Sequence, residues 1–199
     1  MILGTHNSAT GGRLVWWLRP LAWVINPTSK CQDKTIKEQL EDGVRLFNLQ
    51  VAYDGKRWYF SHGLALYEED VMETLGMMAA TGTEDAPVYF QLYYDKSFWH
   101  LQDYYLFARL VADVNNEFCG KNFVMQSAWI EGTEYYPHKR GVKIDAEEHY
   151  WTMAWAKSNA KSWLDKLPLP KRHARRWNVK YKSECKKEYL MLDYYNYGL

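Results

Sequence analysis

Apolar and polar positions alternate along this chain in short blocks that predict strands separated by helices. Met1, Ile2 and Leu3 form an apolar run that stops at Gly4, before the polar tip Thr5-His6-Asn7-Ser8. Residues 44–51 alternate with period two. Val44, Leu46, Asn48 and Gln50 share one face, and Arg45, Phe47, Leu49 and Val51 the other. That spacing puts two amides in line toward the far end of the strand. Further strands are predicted over 58–60, 88–93, 123–125 and 189–192, and another over 177–181.

Helical spacing fills the gaps. Thr35 and Glu38 form a capping box opening a short helix that carries Ile36 and Leu40 and stops at Gly43. Residues 68–80 predict a helix with acidic residues in its first turn and Val71, Leu75 and Met78 on one side. Residues 101–118 show a broad apolar face. Residues 147–167 predict a helix ended by Pro168 and Pro170. Strand and helix in alternation predict an α/β fold with a parallel sheet and crossover helices. At 199 residues the chain fits one domain, 1–199.

Three polar groups follow predicted strand ends: His6-Asn7, His62 and Asp193. In a parallel barrel the carboxyl ends of strands share one face, where chemistry is usually placed. Two imidazoles and a carboxylate there suit general acid–base work. One histidine takes a proton while the other gives one to a leaving group. A carboxylate beside an imidazole fixes its tautomer and supports the imidazolium. A histidine at a strand end also serves structural roles, so spacing alone leaves both uses open.

Four blocks carry a resemblance. Gly4-Thr5-His6-Asn7-Ser8 resembles the opening motif of the phosphatidylinositol-specific phospholipase C X domain. Residues 35–51, with Gln39-Leu40, Gly43-Val44-Arg45 and Phe47-Asn48-Leu49-Gln50, resemble that family's helix–strand unit. Ser61-His62-Gly63-Leu64 is similar to its His-Gly-Leu strand end, and Met191-Leu192-Asp193-Tyr194-Tyr195-Asn196 to its last barrel strand. The blocks are densest in 1–128, the X-type half, with 129–199 closing the domain. The resemblance implies a distorted or reduced TIM barrel and a phosphodiesterase. In it His6 is the general base, Asp193 orients His6, and His62 is the general acid, acting on a phosphodiester such as a phosphoinositide lipid. Asn7, Asn48, Gln50 and Gln91 fall at substrate-binding positions.

Those four positions depart from the family pattern. Asn48 and Asn7 stand where the family carries, or in some members carries, Asp. Gln50 stands where metal-independent members place a phosphate-clamping Arg. A neutral amide offsets phosphoryl charge far less well than a guanidinium, a loss of about 100-fold in rate. Calcium prefers several carboxylate oxygens, so neither a calcium site nor another metal or cofactor is expected. Two functions follow: an active phosphodiesterase drawing positive charge from elsewhere (Lys139, Arg140 or the 171–176 run), or a degenerate barrel used for binding or assembly.

Composition adds three points. The chain holds 10 Trp and 16 Tyr, which suit a Tyr-rich sheet or an interface. Trp16, Trp17 and Trp23, in the apolar stretch 14–25, suit a membrane or protein contact. Net charge is +1, which gives no case for nucleic acid. The basic run Lys171, Arg172, His173, Arg175, Arg176 fits either a solvated loop or an anionic partner. Cys31, Cys119 and Cys185 match no metal or disulfide spacing and are expected as free thiols. No secretory leader or membrane-spanning stretch is recognisable.

Overall fold

The computed structural model describes residues 1–95, 104–130, 133–135, 167, 169–184 and 189–197. In chain order its elements are β1 (Ile2–Thr5), α1 (Ala22–Ser29), α2 (Ile36–Glu41), β2 (Leu46–Tyr53), β3 (Trp58–His62), β4 (Ala65–Asp70), α3 (Val71–Thr81), β5 (Val88–Tyr94), α4 (Tyr104–Glu117), β6 (Phe123–Ile130), β7 (Thr133–Tyr135), α5 (Pro170–Glu184) and β8 (Tyr189–Leu192). Five strands run parallel in the order β8-β1-β2-β5-β6 and curl into a half-barrel. β3, β4 and β7 add antiparallel pairings at its margins. The fold is a reduced α/β barrel.

β2 is the axis of the arrangement. Phe47, Leu49 and Val51 enter the main apolar core with Phe90, Leu92 and Tyr94 of β5. That core continues into Leu75 and Met78 of α3 and Phe107, Val111 and Val114 of α4. Each large side chain buried there contributes about 2–3 kcal/mol. Asn48 and Gln50 fall on the opposite face, as the period of two requires.

One edge of β2 is shared by two partners. Its first residues pair with β1 (Gly4↔Leu46, Thr5↔Phe47). Its last pair with β3 (Val51↔Phe60 to Tyr53↔Trp58). Between the two the edge forks at Asn48–Gln50, and the Asn7 amide enters the fork, donating to Asn48 Oδ1 at 3.3 Å.

Four expectations change. His62 does not end a parallel strand: β3 runs antiparallel, so its last residue returns from the tip of β2 toward the level of Leu49. Residues 68–70 are not helical. They complete β4 against β3, and Asp70 caps α3 by accepting from the Glu73 amide at 2.9 Å. Residues 177–181 are not a strand but lie within α5. Trp177, Val179 and Tyr181 alternate locally, yet Val179 is 69% exposed while His173, Ala174, Asn178 and Tyr181 form the buried stripe of a helix. Pro170 opens α5 instead of ending a helix, since its missing N–H is not needed in a first turn. The predicted helix over 147–167 lies almost entirely outside the described residues, as does the start of the 101–118 helix. Among the described residues no helix is long and apolar enough to cross a membrane.

Candidate active site

His6 and Asp193 meet because β1 and β8 are paired in register. Thr5 lies opposite Leu192, and the His6 amide donates to the Leu192 carbonyl at 3.1 Å. Both residues therefore leave adjacent strand tips together. His6 Nδ1 donates to Asp193 Oδ1 at 2.9 Å, and Asp193 is fully buried. That bond places the imidazole lone pair on Nε2.

Two buried amides lock the pair. Gln32 Nε2 donates to the His6 carbonyl at 2.9 Å and the Leu192 carbonyl at 2.8 Å. Asn178 of α5 donates to the carbonyls of Asp193 and Tyr194. Gln39 does the same for the β1 tip, bonding Thr5 Oγ1 and the carbonyls of Ser8 and Lys34.

His62 closes the site from the other side of the fork. Its ring lies 6.3 Å from that of His6 at 80°. Nδ1 donates to the Ser29 carbonyl at 2.7 Å, and Nε2 accepts from Asn7 Nδ2 at 3.1 Å. Both bonds suit the neutral ring. Burial, reinforced by the nearby His6, lowers the His62 pKa from 6.5 to about 4, against the opposing pull of the Ser29 carbonyl and Asp193. Asn7 is held in the left-handed region at φ 47°, a conformation Asn tolerates well.

The lowered pKa predicts a stability change. The unfolded imidazole takes up its proton as pH falls through 6.5, while the folded one resists until about 4. Stability is therefore full above pH 6.5 and drops across that window by about 3 kcal/mol. Urea titrations at several pH values check this: His62→Gln should flatten the slope between pH 6.5 and 4, and an unchanged slope would assign the loss to other groups.

The positions expected to clamp phosphate are neutral. Asn48 Nδ2 donates to Gln91 Oε1 at 3.2 Å across the β2–β5 pair, where the two residues are in register. Gln50 stands opposite Tyr93. Among the described residues, the hydrogen bonds of Asn7, Asn48, Gln91 and His62 involve no lysine or arginine. Lys139 and Arg140 lie outside the described residues. The 171–176 run is no loop; it forms the first turns of α5, and Lys171 pairs with Asp33 at 3.4 Å.

No protein-family model and no curated protein sequence matches this chain. Solved structures do. A phosphatidylinositol-specific phospholipase C from Staphylococcus aureus matches 100% of this chain and 87% of its own, with a TM-score of 0.63 at 13% identity. The enzyme of the same name from Listeria monocytogenes matches 97% and 87%, with a TM-score of 0.59 at 12% identity. The fold is that of the bacterial phosphatidylinositol-specific phospholipases C.

On this phospholipase C fold the apolar stretch divides by depth. Leu14, Val15 and Leu18 are buried, while Trp16 and Trp23 are 73% and 79% exposed and Trp17 is 42% exposed. Trp23 borders an open cleft of about 410 Å³ that also touches Lys30, Asp33, Lys171 and Tyr194. Tyrosine serves the core as well, since Tyr67, Tyr94 and Tyr195 are among the largest fully buried side chains.

Three residues at or near the site escaped sequence reasoning. Cys31 is fully buried, 3.6 Å from Asn7 Nδ2 and 3.8 Å from His62 Nδ1. Gln32 is the staple described above. Gln126 sits where the β5–β6 register shifts, and its buried carboxamide makes no hydrogen bond among the described residues. Cys31 and Gln32 sit in a connection without periodicity, and a bulge has no local signature. Cys119 is also a free thiol, and Cys185 lies outside the described residues.

Proposed function

We propose that this chain cleaves a phosphodiester of the phosphatidylinositol type, with His6, Asp193 and His62 as its acid–base machinery. The observation carrying this is the buried His6–Asp193 bond with His62 facing it at 6.3 Å. His6 Nε2 takes the proton of a substrate hydroxyl next to the phosphate. That oxygen attacks phosphorus, a cyclic phosphodiester forms, and the bond to the glycerol oxygen breaks. Protonated His62 gives its Nε2 proton to the departing alkoxide, producing diacylglycerol. Water then opens the cyclic ester in a second step. Asn7, Asn48, Gln50 and Gln91 bind the substrate through neutral hydrogen bonds.

Turnover is slow at neutral pH for two reasons. His62 is mostly unprotonated, and the neutral Gln50 stands at the position where a phosphate-clamping Arg is expected. The protonated fraction of His62 grows tenfold for each unit of pH below neutrality until its lowered pKa of about 4 is approached, so kcat/KM rises on acidification.

The exposed Trp16, Trp17 and Trp23 dock the barrel on a membrane or a protein partner. Aromatic side chains with one polar edge suit the lipid interface, and one of the Staphylococcus aureus structures concerns membrane binding of that enzyme. The neutral clamp and neutral His62 favour one second reading: a barrel that keeps the fold and binds without turnover.

Phosphatidylinositol vesicles and a soluble aryl phosphodiester separate the two, assayed with EDTA and with calcium. The expected result is release of cyclic inositol phosphate, seen by phosphorus NMR and indifferent to EDTA, with His62→Ala about 100-fold slower. Vesicle binding without product down to pH of about 5 would establish the second reading.

A further inference from the structure

The candidate active site holds a third type of donor that the acid–base chemistry does not use. Cys31 Sγ, a ring nitrogen of His6 and a carboxylate oxygen of Asp193 all lie within 4.8 Å of one another, and all three residues are buried. We propose that these side chains form a binding site for a thiophilic divalent cation, zinc being the best fit.

Several independent features support it. The donor set is sulfur, nitrogen and oxygen, one of each, which suits zinc and not the oxygen-seeking calcium or magnesium. Zinc bonds of roughly 2.0–2.3 Å hold donor atoms about 3.3–3.8 Å apart. To reach that spacing the His6–Asp193 pair opens slightly from 2.9 Å, and Cys31 Sγ, within 4.8 Å of both, closes on them. Among the described residues Asp193 Oδ2 has no close N–H or O–H donor, although the carboxylate is 0% exposed and only the weak Cys31 thiol acts on it. A buried carboxylate oxygen lacking a donor is costly, and a metal ion relieves that cost. Charge balances once the metal displaces the thiol proton: burial and the neighbouring Asp193 hold the free Cys31 thiol protonated, and a dication exchanges that proton to leave one carboxylate and one thiolate around it. Asn7 Nδ2 lies 3.6 Å from Sγ as a donor, the outer contact that steadies a bound thiolate. Three protein donors leave a fourth position open to water.

Binding has a consequence that rests on the proposed function. His6 Nδ1 cannot hold the metal and donate to Asp193 together. A metal on Nδ1 leaves the proton on Nε2, so His6 is no longer a base. Zinc therefore inhibits the phosphodiesterase, and EDTA restores it. The site itself stands whether or not the chain turns over substrate.

The test reads metal directly. In a Cys119→Ser, Cys185→Ser background, Cys31 is the sole thiol. One equivalent of cobalt(II) should give a sulfur-to-cobalt charge-transfer band, with zinc displacing it. Cys31→Ser should abolish the band. Asp193→Asn should weaken zinc at least about tenfold in competition with a chromophoric chelator. Circular dichroism and thermal melts confirm that each variant is folded. No band in the Cys31-only protein, a band surviving Cys31→Ser, or zinc affinity unchanged in Asp193→Asn would each overturn the site. A bound metal with no effect on turnover would retain the site and reject only the inhibition.

Discussion

Asp193→Asn should lower kcat on phosphatidylinositol vesicles by roughly 10³–10⁴-fold while leaving the barrel folded. In the parent protein Asp193 Oδ1 accepts from His6 Nδ1 at 2.9 Å, which leaves Nε2 free of its proton. An Asn amide at the same place donates to Nδ1 and forces the proton onto Nε2. The ring keeps its position and loses its function, and no carboxylate remains to support the imidazolium as it forms. The substitution also removes a fully buried charge whose second oxygen is unpaired, so thermal stability should hold or rise. His6→Ala should be equally slow, and the double variant no slower than either, because the two act as one unit. The assay is run in EDTA to separate this effect from metal binding. Nitrogen-15 shifts of the His6 ring report the tautomer. A variant within about threefold of the parent, with the tautomer reversed, would remove His6 from the reaction.

Asn7→Asp should act in the opposite direction, raising kcat/KM at neutral pH by about 10- to 1,000-fold. Asn7 Nδ2 donates to His62 Nε2 at 3.1 Å, a bond that stabilises the neutral ring. A carboxylate there accepts from the protonated ring instead. An anion at that distance raises an imidazole pKa by roughly 1–3 units, and each unit multiplies the protonated fraction tenfold while the pKa remains below the working pH. The backbone should tolerate the change, since Asp, like Asn, is enriched in the left-handed region that residue 7 occupies at φ 47°. Asn7 Oδ1 is already buried without a partner among the described residues, so that oxygen keeps its environment, while the oxygen that replaces Nδ2 accepts from His62 Nε2 once the ring is protonated. Proton NMR titration of His62 together with pH–rate profiles checks both links. A raised pKa with no gain in rate would mean that His62 is not the proton donor.

Much of this site was legible along the chain. The period of two over 44–51 placed Asn48 and Gln50 on one face, and β2 keeps them there because side chains in any strand alternate. Gly4 through Ser8 and the run ending at Asp193 marked two strand tips, and they are neighbours because β1 and β8 pair in parallel. Thr35 and Glu38 announced the start of α2, and both bonds of the capping box are present. Each of these features depends on spacing within a few residues, which sequence records directly.

Other features depend on which segments meet across the sheet. Residues 177–181 alternate as a strand does, but the buried stripe of α5 spans 173–181 and sets the helical period over the whole element. His62 reaches the site through an antiparallel return at the fork in β2, and its pKa follows from the packing around it. Cys31 joins His6 and Asp193 because the connection at 30–32 is bonded to residues 192, 194 and 195 across the barrel, including the Tyr194 amide to the Cys31 carbonyl. The local periods, the caps and the order of the strand tips are written along the chain. The proton affinity of His62 and the meeting of three donors arise on folding, because desolvation and long-range pairing act between segments far apart in the chain.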